Sequence, residues 1–329
     1  MTGLAELMTA LALRVGTALA LLLGAALTIA LLVGLGLRVA SFSSMAWPGR
    51  VLAWLVGGVL GVRRAHAEAA VRRAGIERPE QVVRAMYRGL GTGLFELIWV
   101  ALHPRQRLAA LARIADEIIE RASRGGRGAV IATAHTGNWD LLACSAAERV
   151  PLTIATKRLS IRLFDWLWQG TRRRRGLSLV EAGAIAAAAG RALARGELVA
   201  MLIDQAPERS RAVVRTEFLG AEALVDLAPA MVAMRARVPL VAVFARRQPD
   251  GTQLAELGPV LEPPARPSRA WAEQAMVELT AALDRFVRAH PDQWLWMHRR
   301  WKGVESEERA KGARTEVPAV TPASGEGRA

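Results

Sequence analysis

The sequence contains little of what builds cross-linked or metal-stapled domains. Its 329 residues include one cysteine, Cys144, so no disulfide can form within the chain, and a structural zinc site of several cysteines is impossible. Lysine is also scarce, at Lys157, Lys302 and Lys311, so arginine supplies nearly all of the positive charge. Global disorder is excluded as well, because 52% of the residues are hydrophobic.

The chain is at once strongly basic and strongly apolar. It has 44 Lys+Arg against 30 Asp+Glu, which gives a formal net charge of +14, yet its mean hydropathy is positive at +0.20. The length allows one large or two ordinary domains. The charge indicates an anionic partner, such as nucleic acid, an anionic membrane or an acidic protein.

An uncharged stretch of 23 residues lies between Arg14 and Arg38. As a helix it is about 34 Å long, enough to cross a bilayer core and longer than the apolar part of a cleaved signal peptide, which is the alternative. Most flanking arginines follow the stretch, so the positive-inside rule places the rest of the chain in the cytoplasm. The sequence therefore predicts a membrane anchor at 1–40, one catalytic domain at 41–303 and a disordered tail at 304–329.

A second apolar run, at 51–62, is too short to span a membrane. A core helix and a helix in the membrane interface are equally open for it. Residues 63–124 have the three- and four-residue apolar spacing of helices. Within them Glu96 interrupts the apolar stretch Leu94–Leu102. We predict a charge on a helix face there, with a membrane-side or groove-lining position as the alternative.

The central region alternates apolar runs with helical segments. Strands are predicted at Gly128–Ala134, Leu152–Thr156, Leu177–Val180, Leu198–Ile203, Pro239–Ala245 and Gln253–Leu257. Helices are predicted at Ala184–Ala194, Leu224–Arg235 and Ala270–Ala289. Unbroken apolar strands separated by helices indicate an α/β fold with a mostly parallel central sheet flanked by helices.

A histidine and an aspartate follow the first of these strands, in the segment HTGNWD (135–140). Ligands in α/β sheets collect at the carboxyl ends of strands. A turn through Gly137 and Asn138 would let Asp140 hold one ring nitrogen of His135 and leave the other nitrogen as a base. The alternative is a structural histidine in a helix-capping turn.

Two further polar clusters adjoin the strands. TRRRRG (171–176) is either a solvated basic face or a source of one or two arginines for an oxyanion or phosphate, with the rest contacting anionic headgroups or an acidic carrier protein. Asp204 and Gln205 follow the fourth predicted strand, where a simple strand-to-turn boundary is the alternative. Cys144 is predicted to be a packed core residue rather than a nucleophile.

Six stretches, in this order, resemble the late acyltransferases of lipid A biosynthesis, the lauroyl/myristoyl transferase group of the lysophospholipid acyltransferase superfamily. They are AHTGNWD (134–140), DWLWQGTRRRRG (165–176), RGELVAMLIDQAP (195–207), FLG (218–220), RVPLVAVFARR (237–247) and HPDQWLWMHRRWK (290–302). In the last stretch Asp292 stands for the family's Glu and Trp294 for its Tyr. Asp-Gln-Ala-Pro lacks the aromatic residue and glycine that follow Asp-Gln in the best-known members.

The resemblance implies an acyltransferase of the bacterial inner membrane with a cytoplasmic catalytic domain. It would move an acyl chain from acyl–acyl carrier protein to a hydroxyl of an anionic, lipid A precursor-like lipid. His135 would take the hydroxyl proton, Asp140 would stabilise the imidazolium, and Arg172 would stabilise the oxyanion or anchor a phosphate. The residues expected to bind substrate are Asn138, Arg174, Asp204 and Gln205. No metal, no cofactor and no nucleic-acid partner are expected.

Other functions stay open at this point. Phosphatidylinositol-mannoside acyltransferases and other lysophospholipid acyltransferases share the histidine motif. A hydrolase could use the same His–Asp pair on water, although the chain has no Gly-x-Ser-x-Gly elbow. Outside enzymes, the arginine excess fits a basic membrane-surface protein that binds lipid or nucleic acid.

Overall fold

A computed structural model of the chain describes residues 28, 32–123, 126–157, 160–181, 184–207 and 212–304. The predicted span at 15–37 lies mostly outside these residues, and the predicted tail at 304–329 lies outside them except for Val304, which is helical and buried. Within the described part, no single helix has the length and apolar character to cross a membrane. Phe42–Val59 and Arg64–Arg73 meet those criteria only as a pair, bent by 86° at the break between them.

The N-terminal part of the described chain is helical. Residues 32–39 form a helix, and a 3₁₀ turn at Phe42–Met45 leads into α1 (Ala46–Ala53), which continues as a π-helix at Trp54–Val59. Next come α2 (Arg64–Arg73) and α3 (Pro79–Leu102). The helical character predicted for 63–124 is thus confirmed over most of that region.

The crossing of α1 and α3 depends on glycine. A Cβ on Gly49 would lie 2.5 Å from the Thr92 Cα, so the two backbones touch at this point. The adjoining apolar run at 51–62 has one packed side, on which Ala53 and Gly57 are buried, while Trp54 is exposed. The run is therefore not a core helix buried on all sides, because one side is packed and the other is exposed.

The core of the fold is a seven-stranded sheet in the order β1-β9-β8-β2-β5-β3-β4. Its strands are β1 (Ala112–Arg113), β2 (Ala129–Thr133), β3 (Leu152–Thr156), β4 (Leu177–Glu181), β5 (Leu198–Leu202), β8 (Leu240–Arg247) and β9 (Gln253–Leu261). All neighbours are parallel except β8 and β9. The predicted α/β fold with a mostly parallel sheet is confirmed.

Helices cover both faces of this sheet. They are α4 (Asp116–Ser123), α5 (Trp139–Ala147), α6 (Arg162–Arg174), α7 (Ile185–Ala194), α8 (Ala228–Ala236) and α9 (Arg269–Ala289). Along β2, Val130 and Ala132 belong to one apolar cluster and Ala129 and Ile131 to a second. Because successive side chains of a strand point to opposite faces, β2 is buried on both sides.

The predicted helix Leu224–Arg235 is wrong at its start. Residues 224–226 belong to β7 (Ala221–Asp226), which forms an antiparallel hairpin with β6 (Val213–Phe218), and α8 begins only at Ala228. The hairpin turns at Leu219 and Gly220, whose φ angles are +52° and +78°. Two central residues with positive φ match the twist of paired strands. A short apolar run does not distinguish strand from helix by period, which is why the sequence misassigned it.

Candidate active site

The register of two neighbouring strands brings His135 and Asp204 together. β2 and β5 are parallel, and Thr133 pairs with Leu202 at their carboxyl ends. Two residues further along each chain, His135 and Asp204 therefore stand opposite each other. This is the edge at which open α/β sheets collect their ligands.

The carboxylate of Asp204 holds the imidazole of His135. Nδ1 of His135 lies 3.1 Å from each carboxylate oxygen, and the backbone N–H of His135 donates to Oδ2 at 3.0 Å. The indole N–H of Trp294 donates to the same Oδ2, also at 3.0 Å. Because Nδ1 faces the carboxylate, Nε2 is the ring nitrogen left for chemistry.

Asp204 stays ionised although it is fully buried. Burial by itself would raise the pKa of its carboxyl, but the charge of His135, the hydrogen bonds from His135 and the more distant His298 outweigh that effect and hold the pKa well below its usual range. A permanent negative charge on the Nδ1 side stabilises the protonated imidazole, which is what a general base needs.

His298 is the third member of this group. Its ring centroid lies 4.7 Å from that of His135. Burial, and secondly the charge of His135, lowers the pKa of His298 to about 4, so the ring is neutral at physiological pH. Its Nε2 is buried and makes no hydrogen bond to the described part of the chain. The ligand atoms of His135, Asp204 and His298 lie within 4.8 Å of one another, and this is the donor set that Zn²⁺ accepts.

Asp140 lies apart from this group and binds Arg172. The guanidinium Nε of Arg172 donates to Oδ1 of Asp140 at 2.7 Å, and a second guanidinium nitrogen lies 2.5 Å from the same oxygen. Both side chains are buried. The expectation that Asp140 would hold the ring of His135 therefore needs correction, because the carboxylate on Nδ1 is that of Asp204. Their separation has a simple cause, since Asp140 lies in the first turn of α5 and points toward α6.

Arg172 is fixed on several sides. Besides Asp140 it donates to Thr156 Oγ1 at 3.2 Å and to Gln169 Oε1 at 3.3 Å, and it lies over the ring of Trp168 at 5.1 Å. Its predicted contact with an oxyanion or phosphate stays a prediction. In the structure the guanidinium links α6 to the start of α5.

The other arginines of the run have separate places. Arg173 and Arg174 are exposed on α6. Arg175 is buried and donates to the carbonyl oxygens of Val100, His103 and Gln106, close to the end of α3. The run is thus not one solvated face, and the predicted substrate contact of Arg174 stays a prediction.

The two predicted substrate-binding amides differ in environment. Asn138 is buried and caps α5, because its side-chain oxygen accepts from the Leu141 N–H at 3.0 Å. Its side-chain nitrogen donates to Glu96 Oε2 at 2.7 Å. Gln205 is exposed beside Asp204. Cys144 is buried, and burial, with Asp140 nearby, raises the pKa of its thiol to about 12, which agrees with the predicted core role.

Glu96 is a residue whose importance the sequence did not reveal. It is 2% exposed, and its two carboxylate oxygens accept from the guanidinium of Arg247 at 2.6 and 2.7 Å. Together with the bond from Asn138, this ties α3 and β8 to the turn that carries His135. The preferred prediction of a helix-face charge is wrong. The sequence feature that could have indicated a buried ion pair was a single carboxylate inside an otherwise apolar stretch.

Trp294 and His298 were also assigned no role from the sequence, although both lie in the motif HPDQWLWMHRRWK (290–302). The backbone of this segment pairs with the histidine turn, since Leu295 N–H donates to the His135 carbonyl and Gly137 N–H to that of Gln293. The sequence does not indicate that these two segments are neighbours, because they lie about 155 residues apart along the chain.

Two cavities meet at the histidine turn. The larger, of about 1040 Å³, is lined by His135 and by the arginines Arg50, Arg64, Arg84, Arg88, Arg246 and Arg247. The smaller, of about 250 Å³, is mainly apolar and is walled by Leu52, Val56, Leu90, Leu94, Leu97, Phe164 and Trp168. Gly137 and Trp139 line both. The His135 turn therefore lies between a cationic cleft and an apolar slot.

Two comparisons with known proteins bear on this site. The family model described as bacterial lipid A biosynthesis acyltransferase matches residues 27–303. The lipid A biosynthesis lauroyltransferase of Escherichia coli (strain K12) is 26% identical over 232 residues, which cover 69% of this chain and 73% of that protein. The match spans all six motifs, so the resemblance inferred from them is confirmed and the non-enzymatic interpretation falls away. The chain belongs to the bacterial lipid A biosynthesis acyltransferase family, and it is an acyltransferase.

Proposed function

We propose that the protein transfers a fatty acyl chain from acyl–acyl carrier protein to a hydroxyl group of an anionic, lipid A precursor-like lipid, with His135 as general base. One observation carries this proposal: the imidazole is held through Nδ1 by the buried carboxylate of Asp204 while its ring lines the cationic cleft. The histidine is thereby oriented for proton abstraction at Nε2.

The reaction is a direct transfer. Nε2 of His135 takes the proton of the acceptor hydroxyl while the oxygen of that hydroxyl attacks the thioester carbonyl carbon. The C–O bond forms and the C–S bond breaks, and the thiolate leaves with the proton from the imidazolium. Asp204 stays ionised throughout and stabilises the imidazolium formed in the first step, in the manner of the aspartate in serine-protease triads.

The two cavities support a division of labour between substrates. The apolar slot suits the acyl chain, because its walls are leucine, valine and aromatic side chains. The cationic cleft suits an acceptor that carries phosphate. Three of its arginines, Arg50, Arg84 and Arg88, form no ion pair or side-chain hydrogen bond with any residue the structure describes, so their guanidinium groups remain available.

The charge of the chain supports the donor and the location. A net charge of +14 favours an acidic acyl carrier protein and an anionic membrane surface. We place the protein at the inner membrane of a bacterium, with the apolar stretch at 15–37 as a single-pass anchor and the catalytic domain in the cytoplasm.

The proposal is tested with the full-length protein in detergent, supplied with acyl–acyl carrier protein and a lipid A precursor. The acceptor should gain the mass of one acyl chain in mass spectrometry. We expect His135→Ala to lower kcat by about 10²–10⁴-fold while the far-ultraviolet circular dichroism stays unchanged. A well-folded His135→Ala protein that keeps wild-type kcat would rule out the mechanism. Preference for a phosphatidylinositol mannoside acceptor would instead support the alternative transferase.

The cleft is tested by a pair of charge removals. Arg84→Ala combined with Arg88→Ala should raise the KM for the phosphorylated acceptor by about 10-fold or more and leave kcat nearly unchanged, because hydrogen bonds to charged groups contribute about 1.5–3 kcal/mol each. Arg235→Ala combined with Arg285→Ala is the matched control, since it removes the same two charges from exposed helical arginines on α8 and α9. An equal effect of the control would mean that the cleft arginines act only through net charge.

A further inference from the structure

Exposed apolar side chains are concentrated on a few segments of the molecule. Among the described residues, the exposed large hydrophobic side chains lie, apart from Leu202, at 32–39, at 47–62 and at 161–166. The first segment lies within the predicted anchor at 1–40, and the second follows it. The third lies about a hundred residues later, at the start of α6, where Ile161, Leu163 and Trp166 are 71%, 75% and 64% exposed.

The two sides of α6 have different compositions. At 100° per residue, Arg162, Leu163, Trp166, Arg173 and Arg174 fall on one side, and all five are exposed. We call this side, with Ile161 at the helix cap, the α6 outer face. Phe164, Trp168 and Arg172 fall on the opposite side, toward the apolar slot and Asp140.

The α6 outer face carries cations and no anion. The acidic residue of α6, Asp165, is half-buried and accepts a hydrogen bond from Gln169 at 3.2 Å. Three exposed arginines thus flank three exposed apolar side chains, one of them a tryptophan. Helices that lie in the membrane interface combine these same residues: apolar and tryptophan side chains at the acyl boundary and basic ones at the phosphates.

We propose that the α6 outer face is a membrane-contact surface that inserts Ile161, Leu163 and Trp166 into the interface of an anionic bilayer. Arg162, Arg173 and Arg174 contact lipid phosphates around them. An acidic carrier protein would also pair with the arginines, but the combination of exposed aliphatic side chains, a tryptophan and flanking arginines is typical of helices in the membrane interface, so the composition favours lipid.

This contact has a consequence for the apolar slot, which rests on the function proposed above. One wall of the slot is the inner side of α6, with Phe164 and Trp168, and the facing wall is the 51–62 run, with Leu52 and Val56. Both walls expose apolar side chains on their outer sides. The slot therefore lies between two elements that contact the bilayer, and the acyl chain is handled at the membrane rather than in bulk water.

The full-length protein in lipid nanodiscs of phosphatidylethanolamine and phosphatidylglycerol provides the test. Leu163→Cys and Trp166→Cys are each labelled with a nitroxide, and Arg235→Cys on α8 is the exposed control. The native Cys144 does not compete for the label, because its thiol is buried and its pKa is raised to about 12. Electron paramagnetic resonance then compares relaxation by oxygen, which partitions into lipid, with relaxation by a water-soluble nickel chelate.

The labels at 163 and 166 should relax several-fold more with oxygen than with nickel, and the label at 235 should show the reverse. Equal nickel access at all three positions would overturn the proposal. So would labels at 163 and 166 that are open to nickel until acyl carrier protein is added, since the face would then be a protein-binding surface. Transferase activity is measured on the same nanodiscs. Lipid-embedded labels in an inactive wild-type protein would refute the proposed function and leave the membrane contact standing.

Discussion

The substitution Asp204→Asn tests whether Asp204 or Asp140 is the carboxylate that supports His135 in the reaction. Oδ2 of Asp204 accepts two N–H bonds, from the His135 backbone and the Trp294 indole, each at 3.0 Å. An asparagine at this position must keep its oxygen there, because its amide nitrogen cannot accept a hydrogen bond. Its NH₂ group then takes the place of Oδ1, 3.1 Å from Nδ1 of His135.

The tautomer of His135 follows from that geometry. The oxygen kept at the Oδ2 position lies 3.1 Å from Nδ1 but already accepts two N–H bonds, whereas the NH₂ group opposite needs an acceptor, so Nδ1 becomes the acceptor. The ring proton then moves to Nε2, and the nitrogen that should abstract the hydroxyl proton already carries one. The same exchange in a serine-protease triad lowers kcat by about 10⁴-fold. We therefore expect Asp204→Asn to lower kcat by about 10³–10⁴-fold, or about 4–5 kcal/mol in activation free energy, with little change in KM.

The assay is the initial rate of acyl transfer at saturating donor, with thermal unfolding followed by tryptophan fluorescence as the check on folding. Asp226→Asn is the matched control, because Asp226 is exposed and accepts a hydrogen bond from the Ala228 N–H at the start of α8, which an asparagine oxygen can also accept. Asp140→Asn should act mainly on stability, since it leaves the buried guanidinium of Arg172 without its carboxylate, at a cost of about 3–5 kcal/mol. A folded Asp204→Asn protein with near-normal kcat, beside a folded Asp140→Asn protein that is inactive, would refute this reasoning and restore Asp140 as the partner of His135.

Three further predictions concern stability and the turn. The pKa of His298 is about 4 in the folded protein and 6.5 when the histidine is free, so as the pH falls the unfolded chain takes up this proton first. The contribution of His298 to the free energy of unfolding should therefore be complete above pH 6.5 and fall by about 3 kcal/mol toward pH 4. Denaturant titrations across this range should show a weaker dependence of the unfolding free energy on pH for His298→Asn. Gly137→Ala should destabilise the fold by about 1–3 kcal/mol and reduce kcat, because φ is +50° and a Cβ would lie 2.7 Å from the Ala245 carbonyl oxygen; unchanged melting and rate would contradict this. Glu96→Gln should lower the unfolding free energy by about 3 kcal/mol by leaving Arg247 without its carboxylate, and Glu96→Asp should restore part of it if the ion pair is responsible.

The sequence predicted the sheet well because a buried parallel strand needs an unbroken apolar run. The runs at 128–134 and 198–203 match β2 and β5 to within two residues. It predicted the β6–β7 hairpin poorly, since Leu224 and Val225 fit a helical period equally well. The spacing of apolar residues does not distinguish a short buried strand from a short buried helix. Only a long unbroken apolar run indicates a strand that is buried on both faces.

Two members of the site, His135 and Asp204, were predicted, but their pairing was not, and His298 and Trp294 were missed. His135 and Asp204 were both identified at strand ends, but their contact depends on β2 lying next to β5, and strand order is set by packing across the whole sheet. Five residues of separation made Asp140 the obvious partner for His135. The partner that the fold supplies is 69 residues away in sequence. Trp294 reaches the same carboxylate from the C-terminal segment, which no local pattern indicates.

The two carboxylates also differ in what their charge is able to do. Asp140 faces a guanidinium at 2.5–2.7 Å, so its charge is already neutralised before any substrate binds, and it would add little to the stability of an imidazolium. Asp204 has no such partner among the described residues. Burial lowers the pKa of Arg300 to about 10, although the charge of Asp204 acts to raise it, and Arg300 donates its hydrogen bond to the Leu224 carbonyl instead. The strongest contacts of Asp204 are two neutral N–H donors and the ring of His135. The negative charge of Asp204 is therefore compensated most fully when His135 takes up a proton, so the interaction is stronger in the transition state than in the resting enzyme. Stabilisation that grows along the reaction is what accelerates it, and this is the physical reason why we propose the catalytic role for Asp204 rather than for Asp140.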